Sequence, residues 1–229
     1  MIVVRPKTPS AKLIPAPHEE LRRSLGAIRE DQASFGLVTS DLDHALFVAL
    51  DEATKASPVS VLYARSLYAG AASSPGPLSG EAIGILAGAD DDIVREGLKA
   101  AARMLESRVS YSATEGIRRI VFFSHVIPSL GLYLSRESGL LPGDSLAYLM
   151  APPIESMVAL DAALKSANVR LVKSFLPPTV TNYGGGYLTG ELNECEAAAR
   201  AFTETIGRIA ETPVDSLSSY IFERKKSKD

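Results

Sequence analysis

Apolar positions along the chain follow two rhythms, and the same succession of rhythms occurs twice. Phe35 to Thr39 and Leu146 to Met150 are short apolar runs after turn residues, which predicts strands. Phe47, Leu50 and Ala53, then Met157, Leu160 and Leu164, recur at three and four, so each set predicts the buried face of a helix. Val59, Val61 and Tyr63, then Val169 and Leu171, alternate as half-buried strands do. Slid by 110 residues, Val48 to Val59 falls on Val158 to Val169 with seven of twelve positions identical and no gap. Chance would supply about one, so the halves read as a duplication. The division predicted is 1–111 and 112–229.

A later section repeats more loosely. Glu81 to Gly88 predicts a strand, Asp90-Asp-Asp92 a helix N-terminus, and Ile93 to Leu105 the helix. Its counterpart is Gly185 to Gly190 followed by a helix from Asn193 to Ala210. Gly116 to Glu137 is ambiguous: Val121-Phe-Phe looks like a strand, yet the length favours a helix interrupted near Pro128. Residues 1 to 17 hold four prolines and little periodicity, which predicts an extended arm or loop. Pro75-Gly-Pro77 marks a loop of about ten residues, long enough to invite a functional explanation.

Composition narrows the function more than the fold. The chain has 229 residues, 46% of them hydrophobic, and a net charge of −3, which argues against a nucleic-acid partner. A basic cluster at Arg224, Lys225, Lys226 and Lys228 reads as a solvated tail. The single cysteine, Cys195, excludes an intrachain disulfide and a multi-cysteine zinc site, fits a reducing cytoplasm, and sits in an Ala-rich helical run as a packing residue. No apolar stretch reaches the length of a membrane span, and the first residues lack a signal-peptide core. Neither a nucleophile elbow nor a phosphate-binding loop occurs, and His18, His44 and His125 are scattered. Gly184-Gly-Gly186 lacks the dinucleotide pattern and reads as a loop with unusual backbone angles or close contacts. No catalytic set, cofactor site or metal site is expected.

The repeated segment resembles the bacterial microcompartment shell domain. Asp161-Ala-Ala-Leu-Lys-Ser-Ala-Asn-Val169 is close to that domain's helix-to-strand signature, and Asp51-Glu-Ala-Thr-Lys-Ala-Ser57 is its sister. With Arg65-Ser-Leu-Tyr-Ala-Gly-Ala-Ala72, Ala147-Tyr-Leu-Met-Ala-Pro-Pro153, Thr181-Asn-Tyr183 and Leu188-Thr-Gly190, the ordered set is similar to shell proteins of ethanolamine-utilising microcompartments. The resemblance implies an α/β chain, an α+β sandwich of ferredoxin-like kind, made of two tandem circularly permuted microcompartment domains. It implies a homotrimer that imitates a hexamer, tiles with other microcompartment shell proteins in the cytoplasm, and carries a gated central pore. It further implies small pores that hold ethanolamine.

Ethanolamine is a cation at neutral pH, so its site wants carboxylates, a polar partner for its hydroxyl and an aromatic face. The matching positions are Asp43 and Glu81 as carboxylates, Tyr111 as the aromatic, and Thr181, Asn182 and Tyr183 as a polar wall, with His44 contributing backbone. The alternative reading of Asp43 and Glu81 is ordinary loop or cap acids. Asp51/Lys55 and Asp161/Lys165 are spaced for ion pairs along a helix face, worth under about 1 kcal/mol at a surface. The resemblance places Lys55 and Lys165 at the assembly edge. Two other functions fit the residues less well: a small-molecule sensor on tandem ferredoxin-like domains, and a hydrolase or lyase using Asp43, Glu81 or His125.

Overall fold

The computed structural model describes residues 1–8, 10–27, 29–66, 82–115, 117–176 and 183–214. Sixteen elements follow one another in these segments. The first half carries β1 (Ile2–Val4), β2 (Ala11–Ile14), α1 (Glu19–Ser24), β3 (Ser34–Ser40), α2 (Asp43–Ala56), β4 (Ser60–Ser66), β5 (Ala82–Gly88) and α3 (Asp91–Ser107). The second half repeats the order with β6 (Tyr111–Ala113), β7 (Val121–Ile127), α4 (Leu132–Ser138), β8 (Leu146–Ala151), α5 (Pro153–Ser166), β9 (Arg170–Phe175), β10 (Gly184–Thr189) and α6 (Leu192–Glu211). Each half is a mixed α/β layer in which two long helices pack together, α2 on α3 and α5 on α6.

The sheets run β2-β3-β5-β4 and β1-β6-β7-β8-β10-β9, with every pairing antiparallel. β1 is the exception to a clean division, because it pairs with β6 at the edge of the second sheet.

The segment 1–17, expected to be an extended arm or loop, is in part extended, and those parts are paired. Two of its stretches are strands, β1 and β2, held by backbone pairing that leaves no strong side-chain rhythm in an edge strand. The ambiguous stretch before Glu137 is a strand and then a short helix. Phe122 and Phe123 are both fully buried because β7 is covered on both faces, one ring in each of two cores. A strand buried on both sides loses its alternation and reads like a buried helix. Pro128 ends β7, and Gly131 opens α4.

Gly184-Gly-Gly186 is not a loop either: it begins β10. Close contact is nevertheless the reason for glycine, since a Cβ on Gly185 would lie 1.9 Å from the Leu149 carbonyl oxygen at φ +147°. At the start of α3, Asp90 is the N-cap and accepts the Ile93 N–H at 2.8 Å. Cys195 is buried in the core between the second sheet and its helices. The 75–77 loop and the basic tail lie outside the described residues.

The largest core lies between the halves. One face of α2, with Ala45, Val48 and Ala49, shares it with Phe123, Tyr148 and Tyr187 of the second sheet. A set of buried hydrogen bonds reinforces this seam. Asp51 is fully buried and accepts N–H groups from Gly131 at 2.8 Å and Leu134 at 2.9 Å, while the Thr54 hydroxyl accepts the Leu132 N–H at 2.9 Å. Asp51 is thus the cap of α4, not half of a surface pair. Lys55 stands 3.8 Å from it but donates to the Ser129 carbonyl at 3.2 Å and pairs with Glu52 at 2.6 Å. In the second half the equivalent pair, Asp161 and Lys165, is an exposed contact of 2.6 Å.

Candidate functional site between the two halves

The N-terminus of α2 points its first residues into the seam. Asp43 and His44 are both buried there. Across from them, Tyr111 opens β6, Tyr148 lies mid-β8, and Tyr183 immediately precedes β10. Asp43 Oδ1 accepts the Tyr111 hydroxyl at 2.8 Å and the His44 backbone N–H at 2.8 Å. The Tyr111 oxygen also accepts that N–H at 3.3 Å. No hydrogen bond from a described residue reaches Asp43 Oδ2. The Tyr183 hydroxyl donates to the Val121 carbonyl at 2.8 Å, which fixes its ring beside the others.

His44 contributes a side chain as well as backbone, which the sequence reading omitted. Its ring stacks on Tyr111 with centroids 5.9 Å apart and lies 6.1 Å from the Tyr183 ring. Its Nδ1 shares a 2.8 Å hydrogen bond with the Tyr148 hydroxyl, and Nε2 is buried with no partner among the described residues. Desolvation pushes the His44 pKa down, against the pull of Asp43 at 3.6 Å, so the imidazole is neutral. Burial pushes the Tyr111 hydroxyl well above its ordinary value, reinforced by the Asp43 charge, so it stays a donor. Tyr183 is raised to about 12 by the same two causes.

Four expected site residues, Asp43, His44, Tyr111 and Tyr183, therefore meet at one place. Glu81, Thr181 and Asn182 lie outside the described residues. Tyr148 and Phe123, which wall the site, escaped notice because they sit in strands whose pattern announces only burial. His125, the other candidate base, stacks on Phe123 with ring centroids 5.8 Å apart, and burial lowers its pKa to about 4. Among the described residues no group of His, Cys, Asp and Glu could hold a metal ion.

The chain is 42% identical over 212 residues to the bacterial microcompartment shell protein EutL of Clostridium perfringens (strain 13 / Type A), covering 93% of this chain and 97% of that protein. The chain belongs to the EutL family. A crystal structure of EutL from Clostridium perfringens matches the fold with a TM-score of 0.88 at 42% identity, covering 94% of this chain and 98% of that one. The trimeric bacterial microcompartment shell protein PduB shares the fold at 18% identity, with a TM-score of 0.72 over 85% of each chain. No protein-family model matches the chain.

EutL membership makes this chain a structural subunit of a bacterial microcompartment shell of the ethanolamine-utilisation type. The EutL structure spans both halves. Among the described residues no helix is long and apolar enough to cross a membrane.

Proposed function

We propose that this shell subunit acts as a homotrimer, each chain supplying two units, 1–111 and 112–229, to a ring of six. The observation that carries the reading is an asymmetry between equivalent helices. On α2, Val48 is 2% exposed in the core shared by the two halves, and Phe47 meets Tyr133 of α4 with ring centroids 6.4 Å apart. The equivalent α5 residues, Ile154, Met157 and Val158, are 73%, 45% and 49% exposed. Isolated exposed apolar residues are ordinary, but a helix face matching a buried one wants the same cover. A second copy of the chain supplies it, presenting its first half as the second half is presented to α2. Such head-to-tail contacts close into a ring.

Within that ring the role is structural, without catalysis, and Lys55 and Lys165 belong to the edges that meet neighbouring shell proteins. Loops around the threefold axis form a gated metabolite pore. The Asp43 site holds ethanolamine, its ammonium at the carboxylate and its carbons against Tyr111 and Tyr183; Glu81, Thr181 and Asn182, outside the described residues, are its further proposed ligands. What supports this is the buried carboxylate with one oxygen unclaimed by described residues, flanked by aromatic rings.

Sedimentation tests the assembly. The parent chain is expected at three chains, and Met157→Glu at one chain with unchanged circular dichroism. A parent that stays a monomer at high concentration, or a Met157→Glu variant that stays trimeric, would falsify the reading.

A further inference from the structure

A cavity opens outward from the Asp43 site, and arginines stand at its outer part. It is a cleft of about 650 Å³ between β4 on one side and the second sheet and α4 on the other. That volume suits a small molecule. β4 contributes Tyr63 and Arg65, α4 contributes Tyr133 and Arg136, and β9 and β10 contribute Phe175 and Tyr187.

The charged groups around the cleft sort into satisfied and unsatisfied. Lys173 pairs with Glu137 at 3.5 Å and lies over the Phe175 and Tyr187 rings, 5.4 Å and 5.9 Å from their centroids. The protein's own cation already covers those aromatic faces, so a cationic ligand would have to displace it. Arg29 is held by both oxygens of Asp31, at 2.8 Å and 3.0 Å. Arg65 and Arg136 have no carboxylate partner among the described residues, and Arg65 stands 5.5 Å over the Tyr63 ring. Guanidinium forks match the planar geometry of carboxylate and phosphate oxygens, and aromatic walls bury an apolar body. Asp43 and His44 line the same cleft at its buried end, where His44 Nε2 is unpartnered among the described residues. A polar atom at the far end of a ligand would find a partner there.

We propose that this cleft binds a small organic anion, a flat apolar body bearing one carboxylate or phosphate, with Arg65 and Arg136 at the anionic end. The cleft lies within one chain and does not depend on the shell assembly; it shares Asp43 and His44 at its buried end with the proposed ethanolamine site.

Titration calorimetry on the full-length protein tests it, with phenyl phosphate and benzoate as probes and inorganic phosphate and benzylamine as controls. At least one aromatic anion is expected to bind once per chain, and the tighter of the two identifies the headgroup. Benzylamine is expected not to bind, and inorganic phosphate to bind about tenfold or more weakly, having no body for the rings to cover. Arg65→Ala and Arg136→Ala, both exposed and without a carboxylate partner among the described residues, are each expected to weaken the aromatic anion about tenfold while leaving the unliganded melting temperature nearly unchanged. Failure of both aromatic anions to bind, equal affinity for inorganic phosphate, or binding indifferent to both substitutions overturns the proposal. Sedimentation of the same samples reports the trimer separately, so the two readings fail independently.

Discussion

Asp51, on a helix of the first half, accepts the backbone N–H of Gly131 in the second half at 2.8 Å. The bond joins residues 80 apart in sequence and, with the Leu134 N–H, caps a helix across the seam. Asp161, its counterpart by duplication, is exposed and bonded to Lys165. Duplicated residues have thus taken different duties because, among the described residues, one of the two equivalent surfaces is covered and the other is not.

Removing the cap should loosen the seam. Asp51→Ala is expected to cost about 3 kcal/mol of stability, since buried N–H groups lose a charged acceptor. Gly131→Ala should also destabilise, because its Cβ would lie 2.5 Å from the Asp51 carbonyl oxygen and from Thr54 Oγ1. Denaturant unfolding measures both, and a loss below about 1 kcal/mol for Asp51→Ala would contradict the capping role.

Asp51 also has a pH signature. Desolvation raises its pKa despite the N–H bonds and Lys55. The folded state therefore holds this proton more tightly than the unfolded state, and the group's contribution falls as pH rises from the ordinary carboxylate value through the folded one. Asp51→Asn should flatten that part of the stability–pH curve. An unchanged slope would mean that the folded carboxyl titrates normally.

His125 acts in the opposite sense. Burial, helped by Lys55, lowers its pKa from 6.5 to about 4. The unfolded state binds the proton more readily, so stability is full above the unfolded pKa and is lost as pH falls from 6.5 toward 4. His125→Gln should reduce the acid loss in this window by about 1–3 kcal/mol, at about 1.4 kcal/mol per pKa unit. Melting temperatures of parent and variant across the window decide it.

At the proposed cation site, Asp43→Asn keeps the size and removes the charge. Ethanolamine affinity should fall by about 1.5–3 kcal/mol, the worth of a hydrogen bond to a charged group. Tyr111→Phe should do less, because the ring remains and only the hydroxyl to Asp43 is lost. Equal calorimetric affinity in parent and Asp43→Asn would remove ethanolamine from this site.

Gly185→Ala should disrupt the second sheet. The added methyl would meet the Leu149 carbonyl carbon and oxygen, both backbone atoms of the paired strand, at 2.9 Å and 1.9 Å. Neither a rotamer change nor a side-chain shift relieves that contact, so a loss above about 3 kcal/mol or failure to fold is expected. Normal yield and melting temperature would show that β10 can move away from β8.

Much of the architecture was legible from the chain alone. The repeat at 110 residues, the strand–helix–strand order and the ends of α3 and α6 all depend on local periodicity and capping, which neighbouring residues carry among themselves. The motifs shared with the shell proteins group Asp43, His44, Tyr111 and Tyr183 as one site. What only the tertiary structure decided was which equivalent surface is covered. Met157 and Leu160 share a helical rhythm, yet Leu160 is buried and Met157 is exposed, because the sheet lies under one and no described residue covers the other. Phe122 and Phe123, the edge strands β1 and β2, and the cap from Asp51 to α4 likewise depend on partners far along the chain. Periodicity records that a side chain is apolar, whereas burial and hydrogen bonding require the surface that meets it.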